Sequence, residues 1–200
     1  LAATLDDSWR QWQTPEGVDH STSSGSEAQY NAEVRSRLHI ARLAAAGATG
    51  DLEGIAARIC ELECAPEAFE VYADTPPALE RLQAAGVRVG IVSNHVWRLP
   101  EVVEALGLGS AVDFVITSAR VGYRKPHPAI YRIALEAAGC AAEAALFVGD
   151  SISHDVEGPR AAGMRAVLID RRGRYADGEA IRTLAELEAP GLALPSAERA

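Results

Sequence analysis

Residues 145–155 read Ala145-Leu146-Phe147-Val148-Gly149-Asp150-Ser151-Ile152-Ser153-His154-Asp155. Four apolar residues run together, and a glycine and a carboxylate follow. A short apolar run closed by a polar turn reads as a strand covered on both faces. Such strands belong to parallel sheets with helices above and below. The flanking sequence supplies those helices. On one side Pro128 opens a helical stretch that ends at Gly139; on the other, a helix from about Asp155 to Ala162 ends at Gly163. The next strand is Arg165-Ala166-Val167-Leu168-Ile169-Asp170.

The pattern continues toward the N-terminus. Thr75 caps and Pro76 starts a helix that Gly86 ends, and Val87-Arg88-Val89-Gly90-Ile91-Val92-Ser93 is a strand run. Pro100 starts a helix ending near Gly107, and Asp113-Phe114-Val115-Ile116-Thr117 is a strand again. This alternation predicts an α/β fold with a Rossmann-like, doubly wound parallel sheet. Residues 178–188 predict one last amphipathic helix, and the alanine-rich end reads as a mobile tail.

Residues 6–72 have a different texture and read as helices only. Ser24 with Glu27 makes a capping box for a helix over 27–46, with Tyr30, Val34, Leu38 and Leu43 near one face. Asp51 caps a second helix over 52–64, whose expected buried stripe is Ile55, Ile59 and Leu62. Cys60 and Cys64 read as small buried apolar residues, since two thiols lack the further ligands of a structural zinc site.

Composition narrows the function classes. The chain has 200 residues, 48% hydrophobic and 24% charged, with a net charge of −9. This suits one soluble domain with a small insertion. An acidic surface argues against wholesale nucleic-acid binding. No apolar run approaches the length of a membrane span, no leader peptide is legible, and three cysteines form no disulfide framework. A cytoplasmic protein is expected. The chain opens on Leu1 and its one methionine is Met164, so either a lost upstream segment or a non-AUG start codon written as Leu is expected.

In open parallel sheets, chemistry gathers at the carboxyl ends of the strands. After the first strand come Ser93, Asn94 and His95. After the second comes a loop ending in Gly122-Tyr123-Arg124-Lys125-Pro126. After the third come Gly149, Asp150, Ser151 and then Asp155. Singly, each has a plain explanation as a cap, a turn or a solvated charge. Jointly, a hydroxyl, a lysine and two carboxylates at successive strand ends describe a site. His95, His127 and His154 each follow one of these segments. They read as tolerated loop residues, with a transition-metal site as the sharper alternative.

The order and wording of these segments resemble the haloacid-dehalogenase-like hydrolases, subfamily I. The matching residues are Gly90-Ile91-Val92-Ser93-Asn94, Lys125-Pro126-His127-Pro128, and Phe147-Val148-Gly149-Asp150 with Asp155. The resemblance runs from about residue 70 to 170. It implies a phosphatase-like, Mg²⁺-dependent enzyme acting on a small phosphorylated metabolite through an aspartyl-phosphate. It implies that Ser93, Lys125 and Asp150 are catalytic, that Ser93, Asn94 and Lys125 bind substrate, and that Asp150 and Asp155 hold the metal. It implies a helical cap over residues 8–72 and an α/β core over 73–200. Within that cap, Trp9, Trp12 and Gln13 form no interpretable pocket.

The family's first motif, a strand ending in the nucleophilic aspartate, has no clear match. Leu1-Ala2-Ala3-Thr4-Leu5-Asp6-Asp7-Ser8 is its nearest remnant, assigned to residues 1–7. The nucleophile is then expected upstream of residue 1, on a central strand between those of Ser93 and Asp150. The alternatives are a catalytically inactive binding module of the same fold, a dehalogenase or phosphonate hydrolase, and a receiver-like domain, against which the helical insert and Ser93-Asn94 argue.

Overall fold

The computed structural model describes residues 26–175 and 180–187. The remnant assigned to residues 1–7, the Ser24 cap, Trp9, Trp12 and Gln13 lie outside the described residues.

The described chain opens with a continuous helical rod. Helix α1 (Glu27–Tyr30) passes through a π-turn at Asn31–Arg35 into α2 (Ser36–Ala45). Ser26 caps α1, its side chain accepting from Gln29 N, in the place expected for Ser24. Helix α3 (Leu52–Leu62) packs back on α2, and Asp51 Oδ1 accepts from Gly54 N at 2.8 Å to cap it. The buried stripe of α3 differs from expectation. Ala56 and Cys60 face inward, whereas Ile55 and Leu62 are exposed. Cys64 is only partly buried.

The rest alternates as the punctuation predicts. Helix α4 (Thr75–Ala84) leads to β1 (Gly90–Ser93), α5 (Leu99–Ala105) to β2 (Phe114–Thr117), and α6 (Ser118–Val121) follows β2. Helix α7 (Pro128–Ala138) leads to β3 (Leu146–Gly149). A π-turn over Ile152–Glu157 and α8 (Gly158–Ala161) lead to β4 (Arg165–Leu168). Pro128 sits in the first turn of α7 and Gly139 ends it at φ 63°, a left-handed conformation that glycine adopts without strain. Among the described residues, no helix is long and apolar enough to cross a membrane.

The helix expected over 178–188 is not seen in its described part. Ile181 instead makes a parallel bridge to Ile169, and Thr183 caps a single 3₁₀ turn at Leu184–Glu186. Burying Ile181 against Val167 and Ile169 outweighs the local helical pattern.

The strands pair in parallel, β1 with β2 and β3 with β4, with Gly90 opposite Phe114 and Leu146 opposite Arg165. Among the described residues these are two separate two-stranded sheets. A cavity of about 760 Å³ has β1 on one wall and β3 on another, and Leu79, Leu82, Leu135 and Leu184 line it with them. A mostly apolar slot between two strand pairs is therefore a central feature of the fold. Ile116, Ile130, Tyr131, Ala134 and Met164 form the core beside it.

Candidate active site

Ser93 ends β1 opposite Thr117, the last residue of β2. Thr117 is fully buried, and its hydroxyl donates to His95 O at 2.7 Å and Val96 O at 2.9 Å. It thereby shapes the turn after β1. Asn94, in that turn, clasps the loop carrying the lysine. Its Nδ2 donates to Lys125 O at 2.9 Å, and its Oδ1 accepts from Lys125 N at 2.7 Å. Both ends of the amide thus fasten the Lys125 backbone.

The Lys125 ammonium is nearly buried. It donates to Val92 O at 2.9 Å and to Asp155 Oδ1 at 2.6 Å, and it lies 5.1 Å from the centre of the Phe147 ring. Val92 belongs to β1 and Phe147 to β3, so the lysine reaches both walls of the slot. Asp155 is 4% exposed, and its Oδ2 accepts from Ser151 N at 3.0 Å. A charge so enclosed is stable only when paired, and Lys125 supplies the pairing. Gly149 explains its own identity, because a Cβ there would run into the Asp155 carboxylate.

Asp150 stands apart from this pair. It follows β3, its carboxylate is largely exposed, and the contact it makes is to Arg174 Nη2 at 3.5 Å. The Arg174 loop is held by Asp170, whose carboxylate accepts from Arg174 N and Tyr175 N at 3.0 Å each. Tyr131 is fully buried and donates from its hydroxyl to His154 O at 2.6 Å. Burial, and then the Asp155 charge, push its phenol well above its ordinary range.

The three histidines do not converge as ligands. His127 caps α7, with Nδ1 accepting from Ala129 N at 3.1 Å and its ring stacked on Tyr123. His95 packs beside Phe69, and burial lowers its pKa. Burial also lowers that of His154, against the opposing pull of Asp155. Among the described residues, the cluster with metal-ligand spacing is His39, Cys60 and Glu63, in the helical region.

The structure therefore joins Lys125 to Asp155, fastens Asn94 to Lys125, sets Ser93 beside Asn94, and leaves Asp150 on the rim. Thr117, Tyr131 and Phe147 support the site without having been given a role from the sequence. Thr117 had a signal in its place at a strand's carboxyl end. Phe147 lay within a segment that carries the family resemblance, but no role was assigned to it or to Tyr131.

The comparisons with known proteins agree with this architecture. Residues 6–163 match the family model described as haloacid dehalogenase-like hydrolase. A curated phosphatase of Mycobacterium tuberculosis is 38% identical over 120 residues, covering 59% of this chain and 54% of the relative. A phosphoserine phosphatase of Thermus thermophilus is 37% identical over 113 residues, covering 56% of this chain and 45% of the relative. The crystal structure of a phosphatase of this type from Thermococcus onnurineus superimposes with a TM-score of 0.60 at 39% identity, covering 64% of this chain and 62% of that one. The chain thus spans about half the length of the curated relatives it matches. With the family model matched over most of its length, and with strand ends carrying Ser93, Lys125, Asp150 and Asp155, the chain belongs to the haloacid dehalogenase-like hydrolase family.

Proposed function

We propose that the protein is a Mg²⁺-dependent phosphatase of small phosphorylated metabolites. The observation that carries this reading is the buried Lys125 ammonium, held between Val92 O and Asp155 at the slot between β1 and β3. A fixed cation beside a strand end stabilises negative charge as it develops on a transferring phosphoryl group. The names of the matched phosphatases support the same chemistry.

In this reading the slot receives a further parallel strand, and an aspartate at its carboxyl end attacks phosphorus. The ester P–O bond breaks and the alcohol leaves with a proton. Water then attacks the phosphoryl group, the bond to the aspartate breaks, and orthophosphate departs. Ser93 donates a hydrogen bond to a phosphoryl oxygen. Asn94 holds the Lys125 backbone, and so the ammonium, in register. Lys125 faces both the nucleophile and the phosphoryl group.

The donor set suits a hard cation. Asp150 and Asp155 offer carboxylate oxygens, and Mg²⁺ prefers oxygen ligands and retains several waters. Asp150 would bind it directly, while Asp155, already bound to Lys125 and Ser151 N, would orient the shell. When bound, Mg²⁺ supplies countercharge to the phosphoryl oxygens. Residues 8–72 serve in this reading as a helical cap over the site.

The test is turnover of a chromogenic phosphate ester by the full-length protein, with and without Mg²⁺. Activity lost to a chelator, and a Lys125→Met variant reduced by roughly 100-fold or more in kcat, is the expected result. Halide release from a 2-haloacid without metal dependence, or an inert full-length protein, would overturn the reading.

A further inference from the structure

Helices α2 and α3 bring three donors of different chemistry together in the helical region. His39 on α2 and Cys60 on α3 are both buried, and Glu63, just after α3, is partly buried. One ligand atom from each lies within 4.8 Å of the other two. His39 Nε2 stands 3.0 Å from Glu63 Oε2. Cys60 and Glu63 are three residues apart, so the helix turns both to one side, and α2 packs His39 against them. Along the chain Cys60 pairs with Cys64, which makes a poor zinc pattern. Across the helix pair it meets an imidazole and a carboxylate.

Imidazole nitrogen, thiolate sulfur and carboxylate oxygen are the donors that zinc takes, and a thiolate selects against Mg²⁺ and Ca²⁺. Around a tetrahedral zinc ion such donors stand roughly 3–4 Å apart, so these three need to draw in by about 1 Å. The Ser36 side chain, one turn before His39, hydrogen-bonds Cys60 and is placed to support a thiolate. Arg35 holds the place of a cation here. Its Nη2 donates to Glu63 Oε2, the oxygen that His39 also faces. Its Nε is buried without a hydrogen-bond partner, so the guanidinium is incompletely satisfied where it stands.

We infer that His39, Cys60 and Glu63 bind a zinc ion that clasps α2 to α3, with water in the fourth position. The zinc ion makes three ligand bonds where Arg35 made one ion pair, and the guanidinium turns outward to steady the ligating carboxylate. The Cys60 thiol gives up its proton to solvent on binding. Neutral His39 keeps its charge state, so the cluster with Arg35 gains a single positive charge, in a chain whose net charge is −9. The inference does not depend on the phosphatase reading, since Lys125, Asp150 and Asp155 take no part in it.

Titration of the full-length protein with Co²⁺, in excess Mg²⁺, tests it without turnover. Cobalt takes the same donors as zinc and reports a sulfur ligand by a thiolate-to-metal charge-transfer band. One equivalent of Co²⁺ should produce that band, and Zn²⁺ should bleach it. Cys60→Ser should abolish the band. His39→Gln should weaken Zn²⁺ binding by roughly 100-fold or more, since even the loss of an outer partner costs 10–100-fold. Cys64→Ser and Cys140→Ser should leave the band in place. Zn²⁺ should also raise the melting temperature of the parent and not that of Cys60→Ser. A parent that gives no charge-transfer band overturns the inference whether or not the variants fold, and so does a band that survives Cys60→Ser.

Discussion

Gly149 shows how one hydrogen atom in place of a methyl group can hold a site together. The residue ends β3, and the Asp155 carboxylate occupies the space a side chain would need. A Gly149→Ala variant must move either the strand end or the carboxylate. Either displacement pulls Asp155 from Lys125 and from Ser151 N. Overpacking of this kind costs about 1–3 kcal/mol. Urea denaturation should show a loss in that range, and turnover should fall by a larger factor than stability explains. Unchanged stability and activity would contradict the close approach. At this scale the sequence located the strand ends that carry Ser93, Asp150 and the loop of Lys125, because such ends are easy to find. It was silent on what Asn94 touches. An amide beside a serine reads equally as ligand, cap or clasp, and only the fold brings it within 3 Å of the Lys125 backbone.

Among the elements, the C-terminal segment depends on two carboxylates. Asp74, just before α4, accepts from Arg171 Nη1 at 2.8 Å, Thr183 Oγ1 at 2.6 Å and Leu184 N at 2.8 Å. The Arg171 guanidinium holds its carboxyl far below the usual range, and the Thr183 and Leu184 bonds add to this against the cost of burial. Asp170 is likewise lowered, first by the Tyr175 amide. Carboxyl groups of an unfolded chain titrate near pH 4, about 3.9 for aspartate. With folded values below that, the stability these groups provide is complete above about pH 4 and is lost as pH falls further. The parent should therefore weaken in urea between about pH 4 and pH 2, and an Asp74→Asn, Asp170→Asn double variant should show a flatter profile there. Parallel profiles would refute the assignment.

Element order was legible because proline and glycine punctuate the longer helices of the α/β region, whereas the single turn of α6 carries no proline and was not foreseen. Faces were less so. The apolar period of α3 selected Ile55, Ile59 and Leu62, but the buried stripe is Ala56 and Cys60, with Glu63 beside them. A helix face that meets Arg35 and His39 is partly polar, and a search for apolar periodicity passes over it.

At the scale of the molecule, the division of the described strands into two pairs is the dominant fact. The alternation of strands and helices predicted a parallel sheet, and the strands of the described residues do pair in parallel. The size and lining of the slot could not be read from either. If a strand fills it in the full-length protein, the amides of Gly90–Ser93 and Leu146–Gly149 should all exchange slowly with solvent hydrogen, on both edges of each strand. Alternate amides exchanging rapidly in those segments would show that the slot stays open.

The division also bears on how the protein unfolds. Each strand pair has its own ladder, and among the described residues Lys125 bridges them, reaching Val92 on one side and Asp155 on the other. If a further strand occupies the slot, as the proposed reading requires, the two halves should melt in a single transition. Without it they should come apart one after the other, and opening the sheet would also pull Lys125 from Val92 or from Asp155.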